Sequence, residues 1–188
     1  MEFIRVNDKN NPWFNHIHTL YTQSFPILER RDMDTLLDKA KVDQVNIYAI
    51  VKTNTFIGLT IFSKGDRFDI FDYLAIDPAH QHKGYGSTIL KHVLTMYQNQ
   101  PLFLEIEAPD PCASNADQRQ KRYDFYIKNG LTDSHMLVNL YHVDYLILTN
   151  GVPISFDDYV HSYQTAYGKS FTQMLNPIYI GSTKKPED

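Results

Sequence analysis

The run Gln81-His-Lys-Gly-Tyr-Gly-Ser87 sets two glycines between a strand-like segment ending at Ile76 and an amphipathic segment that opens near Gly86. Glycine carries no Cβ, so several backbone N–H groups can turn toward one point. A helix that starts there adds unpaired amides and the positive end of its dipole. Such a loop cradles phosphate, and a ligand carrying pyrophosphate is the first chemistry that the chain suggests. Two other phosphate loops are excluded by their side chains. A P-loop ends in Gly-Lys-Ser/Thr, whereas Lys83 precedes Gly84. A dinucleotide fingerprint needs a third small residue where Ile89 stands, although Glu105 lies at a suitable distance for a ribose contact.

Three segments, in order, extend this reading. Gln81-His-Lys-Gly-Tyr-Gly86, preceded by Tyr73-Leu-Ala-Ile76, resembles the coenzyme A loop of the GNAT superfamily of acetyltransferases, Gln/Arg-x-x-Gly-x-Gly/Ala. Leu104-Glu-Ile-Glu107 resembles the next strand of that fold, and Phe125-Tyr-Ile-Lys-Asn-Gly-Leu131 resembles its Phe-Tyr-x-x-x-Gly-Phe motif. The resemblance is close over residues 67–131 and rests elsewhere on the order of elements. It implies a single-domain α/β fold with a central mixed, mostly antiparallel, splayed β-sheet flanked by helices. It also implies acetyl-coenzyme A (acetyl-CoA) as cosubstrate. In that fold the strands matching Phe68–Ile76 and Leu102–Glu107 splay apart. Main-chain groups of Leu74, Ala75 and Ile76 would then bond the pantetheine arm, and the loop of Gln81, His82, Lys83, Gly84, Tyr85, Gly86 and Ser87 would hold the pyrophosphate, with amides from His82 to Ser87 as donors.

Acetyl transfer from a thioester to an amine needs a neutral amine, a stabilised oxyanion and a protonated leaving thiolate. A carboxylate can take the amine's proton directly or through water. Glu105 and Glu107, two apart on a strand, share a face, and the family often carries a glutamate at the position matching Glu105; Asp72 is the third choice. Both glutamates can equally be solvent-facing strand carboxylates. Tyr126 matches the family's tyrosine whose hydroxyl approaches the coenzyme A sulfur, so the resemblance makes it the general acid, against the plain alternative of a core tyrosine. The chain departs from the family at Arg119, where many relatives carry Asn, and at Leu131, which replaces the last aromatic. The loop from Ala108 to Asp117 is longer than in compact relatives and could shape an acceptor pocket.

These readings amount to an N-acetyltransferase acting by direct transfer to a primary amine of a small molecule, protein or peptide. Two alternatives stand beside it: a coenzyme A or acyl-CoA sensor of the same fold without turnover, and a transferase of longer acyl groups. The acceptor cannot be read, because variable loops form its site. A homodimer is left open.

The elements that must position these groups follow from hydrophobic period. Phe3–Val6 reads as a strand, and a helix begins near Pro12 with Trp13, Phe14, Ile17, Leu20 and Tyr21 at helical spacing; Met33, Leu36, Leu37 and Ala40 repeat the pattern. Val45–Val51, Phe56–Ser63 and Phe68–Ile76 are β-rich runs between short polar turns, which predicts an antiparallel meander. The helix after Gly86 presents Ile89, Leu90, Val93, Leu94 and Tyr97, Leu102–Glu107 is the next strand, and a further helix stops at Asn129-Gly130. Strands are expected at Leu137–Leu140 and Tyr141–Thr149. Ser155-Phe-Asp-Asp158 reads as a capping box opening a last helix at about 155–167. One domain over residues 1–180 is expected, with a frayed tail at 181–188.

Composition narrows the class. With 188 residues, 43% of them hydrophobic, the chain can bury one substantial core. A formal net charge of −4 argues against a nucleic-acid surface. Arg119, Lys121 and Arg122 read as a solvated helix face or an anion contact. The single Cys112 excludes an internal disulfide framework and has no His partner nearby in sequence, so an incidental thiol is expected. His80 and His82 flank the glycine loop without Cys or acidic partners at ligand spacing, so no metal is expected. No apolar run approaches the roughly 20 residues of a membrane span, and no secretion signal opens the chain, so no membrane partner and a cytoplasmic location are expected.

Overall fold

The computed structural model describes residues 1–27, 29–140 and 142–183. In chain order these form β1 (Glu2–Arg5), α1 (Phe14–Ser24), α2 (Met33–Lys41), β2 (Val45–Lys52), β3 (Thr55–Ser63), β4 (Asp69–Ile76), α3 (Tyr85–Met96), β5 (Leu102–Glu107), α4 (Ala116–Lys128), β6 (Thr132–Leu140), β7 (Val143–Thr149), α5 (Phe156–Tyr167), α6 (Lys169–Leu175) and β8 (Ile178–Ser182). A single 3₁₀ turn, Pro78–His80, follows β4.

The strands make one open sheet in the order β1-β2-β3-β4-β5-β7-β6-β8. Hairpin β2–β3 is antiparallel, as its short polar turn requires, and pairs Val45 with Ser63 and Lys52 with Thr55. Strands β4 and β5 run parallel, with Asp69 opposite Leu102 and Ile70 opposite Phe103. That orientation needs a crossover, which α3 supplies. Strand β5 then pairs antiparallel with β7, so Glu105 lies opposite Ile147 and Glu107 opposite Tyr145.

The chain divides into two compact units: residues 1–64 with 71–88, and residues 65–70 with 89–188. In the first, α1 buries Phe14, Ile17, Leu20 and Tyr21, and α2 buries Met33, Leu36, Leu37 and Ala40, with Ile47, Ala49, Leu59 and Ile61 of β2 and β3 in the same core. These are the positions that a 3.6-residue period puts on one helix face. Helix α2 starts where Asp32 accepts the Thr35 amide at 2.8 Å. In the second unit, Tyr159, Tyr163 and Ala166 of α5 pack with Phe68, Ile70, Phe103, Val138 and Ile147. The capping box forms as its spacing predicts: Ser155 Oγ accepts the Asp158 amide at 3.1 Å, and Asp158 Oδ2 accepts the Ser155 amide at 3.1 Å.

Several boundaries differ from the sequence reading, each for a local reason. Strand β6 begins at Thr132 rather than Leu137. A bulge between Asp133 and Leu137, with His135 at φ 62°, breaks the two-residue alternation there. Strand β7 begins at Val143 because His142, at φ 66°, still belongs to the turn; Tyr141 lies outside the described residues. Helix α3 takes in Gly86, which sits in its first turn. Helix α6 and strand β8 were not expected, and β8 carries the chain through Ser182; the rest of the expected tail, from residue 184, lies outside the described residues. No helix among the described residues is long and apolar enough to cross a membrane.

Candidate active site

The glycine loop is built by β4, the 3₁₀ turn and the start of α3. Asp77 caps the turn by accepting the Ala79 amide at 2.9 Å, and the Asp77 amide donates to Ile57 O of β3 at 2.9 Å, which ties the exit of β4 to its neighbour. Gln81 Nε2 donates to Ile76 O at 3.1 Å and Lys83 Nζ donates to Ala79 O at 2.7 Å, so both side chains fold back on the loop's own backbone. His82 has φ 60° and Gly84 φ 78°, two left-handed residues that bend the chain into the helix. The first amide of the helix region to find a backbone acceptor is that of Thr88, which donates to Gly84 O at 3.2 Å. The six preceding amides, from His82 to Ser87, have no acceptor among the described residues. A Cβ built on Gly84 meets nothing within 4 Å. Lys52 Nζ stands 5.2 Å from the Tyr85 ring centroid and adds positive charge beside the loop.

Open space at Gly84 and consecutive unpaired amides at a helix N-terminus suit a pyrophosphate group. Leu74, Ala75 and Ile76 lie at the end of β4 next to this loop, with Ala75 buried and Leu74 and Ile76 half-buried. Ile76 O already accepts from Gln81. Gly58 of β3 explains how the strands approach at this point, because a Cβ there would come 2.3 Å from Ala75 O.

In the second unit the two β5 glutamates have different partners. Glu105 is half-buried, and its Oε1 accepts the hydroxyls of Tyr159 at 2.5 Å and Tyr163 at 2.8 Å. Glu107 lies against α4: Arg119 Nη2 donates to Oε1 at 3.0 Å, Asn115 Nδ2 to Oε2 at 3.2 Å and Arg122 Nη1 to Oε2 at 3.4 Å. Arg119 also donates Nε to Asn115 Oδ1 at 2.8 Å and Nη1 to Ala108 O at 3.2 Å. The basic residues read as a solvated helix face are thus divided, with Arg119 turned onto the strand and Lys121 exposed. Asp72 accepts from Ser63 Oγ at 2.6 Å within the first unit.

Tyr126 lies half-buried in the last turns of α4, edge-on to Phe125, and its hydroxyl has no hydrogen-bond partner among the described residues. Burial pushes its phenol up to about 12, against a smaller opposing effect of Arg122. It therefore keeps its proton at neutral pH. Helix α4 ends as Asn129-Gly130 predicts: Gly130 takes φ 99°, and the Leu131 amide returns to Tyr126 O at 3.2 Å.

Sequence reasoning missed the two tyrosines on Glu105. The capping box locates α5, and the spacing of Tyr159 and Tyr163 puts them on one face, but nothing local says that this face meets β5. The long loop after β5 does line a cavity of about 610 Å³, with Asp110, Arg119, Tyr123, Asp133 and Asp144 among its walls, yet Glu105, Glu107 and Tyr126 do not line it. Cys112 is exposed and free, and among the described residues no group of three His, Cys, Asp or Glu is placed to hold a metal ion.

Comparison with known proteins follows the same lines. The sequence model of the acetyltransferase (GNAT) family matches residues 13–120. No curated protein matches the chain. Among solved structures, a protein of Bacteroides thetaiotaomicron assigned to the GNAT acetyltransferases superposes with a TM-score of 0.71 at 20% identity, over 89% of this chain and 99% of the other. Spermidine N-acetyltransferase from Vibrio cholerae, solved with CoA and spermine, gives 0.58 at 16% identity over 79% and 93% of the two chains. An aminoglycoside 6'-N-acetyltransferase complexed with coenzyme A gives 0.58 at 14% identity over 79% and 96%. At these identities the structures speak for the fold, and the family match covers more than half of the sequence: the chain belongs to the GNAT family of acetyltransferases.

Proposed function

We propose that this protein is an N-acetyltransferase that binds acetyl-CoA at the loop following β4 and transfers the acetyl group directly to a primary amine. The observation that carries the reading is the run of six amides from His82 to Ser87 without an acceptor among the described residues, opening a helix beside a glycine with room around it. Main-chain groups of Leu74, Ala75 and Ile76 would hold the pantetheine arm as a partial extra strand. Bound acetyl-CoA supplies the activated acyl carbon and a thiolate leaving group. Glu105 is the base that we assign, because both carboxylate oxygens of Glu107 are already engaged by Arg119, Asn115 and Arg122. Tyr126 is the acid that we assign from its place in the Phe125–Leu131 motif, and its phenol carries its proton at neutral pH. The neighbours that act on spermidine or on aminoglycosides are distant, so they support an amine acceptor as a class and name none for this chain.

The test has two arms. Calorimetry with coenzyme A should show binding by the parent and by Gly84→Ala, which carries only the strain of a non-glycine residue at φ 78°. It should show none by Gly84→Glu, whose carboxylate would stand where phosphate sits. Thiol release from acetyl-CoA, followed across a panel of small amines and peptides, should then identify an acceptor. Equal affinity in folded Gly84→Glu would overturn the cradle. Tight binding with no thiol released by any amine would favour a sensor.

A further inference from the structure

Helix α5 lies beyond the residues that the family model matches, yet it reaches the carboxylate that we assign as base. Two phenols of α5 share one oxygen of Glu105, at 2.5 and 2.8 Å. Both are core residues, with Tyr159 fully buried and Tyr163 5% exposed. They stand one helical turn apart with ring centroids 5.0 Å from each other, and both rings pack on Phe103, at 5.4 and 6.2 Å. Phe156 stacks on Tyr159 at 6.0 Å. Neither hydroxyl can swing away from Glu105 without moving this aromatic packing.

We propose that Tyr159 and Tyr163 are positioning residues for acetyl transfer: they fix the plane of the Glu105 carboxylate and favour its ionised form. The inference rests on the assignment of Glu105 as the base. Hydrogen bonds donated to a carboxylate stabilise its charged state. The reciprocal effect falls on Tyr159, whose phenol is held well above its ordinary range by burial first and by the charge of Glu105 next. Tyr159 therefore stays a donor throughout the working pH range. The neighbouring elements also carry Tyr145, which raises Tyr159 slightly, and Asp144 on β7; Glu107 on β5, paired with two arginines; and Asp157, His161, Tyr167 and Asp158 on α5, the last paired with Arg67 at 2.9 Å.

Tyr159→Phe and Tyr163→Phe keep the rings and remove the donors. Two readouts separate a positioning role from a packing role. The first is the carbon-13 shift of the Glu105 carboxyl against pH, assigned by its loss in Glu105→Gln. The second is the acid limb of kcat/KM with acetyl-CoA and the amine found by thiol release. We expect the carboxyl midpoint to rise by about one pH unit in each variant. The acid limb should follow it, so that the loss of turnover is largest at low pH and shrinks as pH rises. An unmoved carboxyl midpoint in both variants overturns the inference. A midpoint that moves while the acid limb stays, in an enzyme whose limb also survives Glu105→Gln, overturns the base assignment and leaves the cluster a packing feature. Tyr163→Phe, at the less buried position, keeps the test open if Tyr159→Phe does not fold.

Discussion

Arg119→Met tests whether the α4–β5 contact is held by one ion pair. The Arg119 and Glu107 side chains are 15% and 23% exposed, and the arginine makes three hydrogen bonds, to Glu107, Asn115 and Ala108 O. Removing one partner of a fully buried pair costs about 3–5 kcal/mol. Part of each group is in water here, and Asn115 and Arg122 still reach Glu107, so we expect about 2–3 kcal/mol. For a chain of this length that is a fall in Tm of about 4–12 °C, at about 2–4 °C per kcal/mol. Methionine keeps most of the apolar stem, so the loss reports the guanidinium rather than a cavity. Arg122→Met is the comparison. Its side chain is 49% exposed and 3.4 Å from Glu107, so it should cost at most about 1 kcal/mol. Urea unfolding of both variants and of each combined with Glu107→Gln isolates the pair energy. If Arg119→Met and Arg122→Met cost the same, or the Arg119–Glu107 coupling is near zero, the ion pair does not hold α4 in place, and Glu107 stands again beside Glu105 as a candidate base.

Three further outcomes are expected. Tyr126→Phe should lower turnover on the order of 10²-fold with coenzyme A affinity nearly unchanged; because the phenol titrates only near 12, the loss should be the same at pH 7 and pH 9, and a pH-dependent loss in that window contradicts the assignment. Gly58→Ala should destabilise the fold by about 1–3 kcal/mol in urea, since its Cβ would press within 2.3 Å of Ala75 O, a backbone atom that cannot move aside; a neutral effect would contradict the close approach of β3 and β4. Stability should fall at alkaline pH: Tyr21, Tyr73, Tyr126 and Tyr159 all have folded pKa values above the unfolded value of about 10, so their neutral forms contribute fully below pH 10 and the contribution is lost as pH rises through the folded values. Unfolding free energies that stay flat from pH 8 to 11 would refute this.

The parts of the site legible in sequence are those made by backbone. Glycines at 84 and 86 after a strand and before an apolar helical stripe locate the loop whose amides, from His82 to Ser87, have no acceptor among the described residues, whatever side chains surround them. Strand β5 and the α5 cap were equally readable, since alternation and the Ser155–Asp158 spacing are local signals. What escaped depends on distant partners. Glu105 and Glu107 look interchangeable in sequence, and their difference comes from tyrosines more than fifty residues later and from an arginine on the next helix. The start of β6 was hidden because a bulge among Asp133, Ser134 and His135 removes the alternation by which a strand is recognised. The short α6 has no side-chain cap to announce it.

The parallel pair β4–β5 has a consequence for how the chain reaches this structure. Hairpins β2–β3 and β6–β7 join residues that are neighbours in sequence, so each can form quickly and alone. Asp69 meets Leu102 only after the whole of α3 has been laid down between them, and the entropy of closing that loop is spent before any contact repays it. The crossover should therefore be the slow step, and until it closes, the ends of β4 and β5 should stand as bare strand edges open to pairing with another chain. Refolding at rising protein concentration should lose yield at this stage, before either hairpin shows any damage.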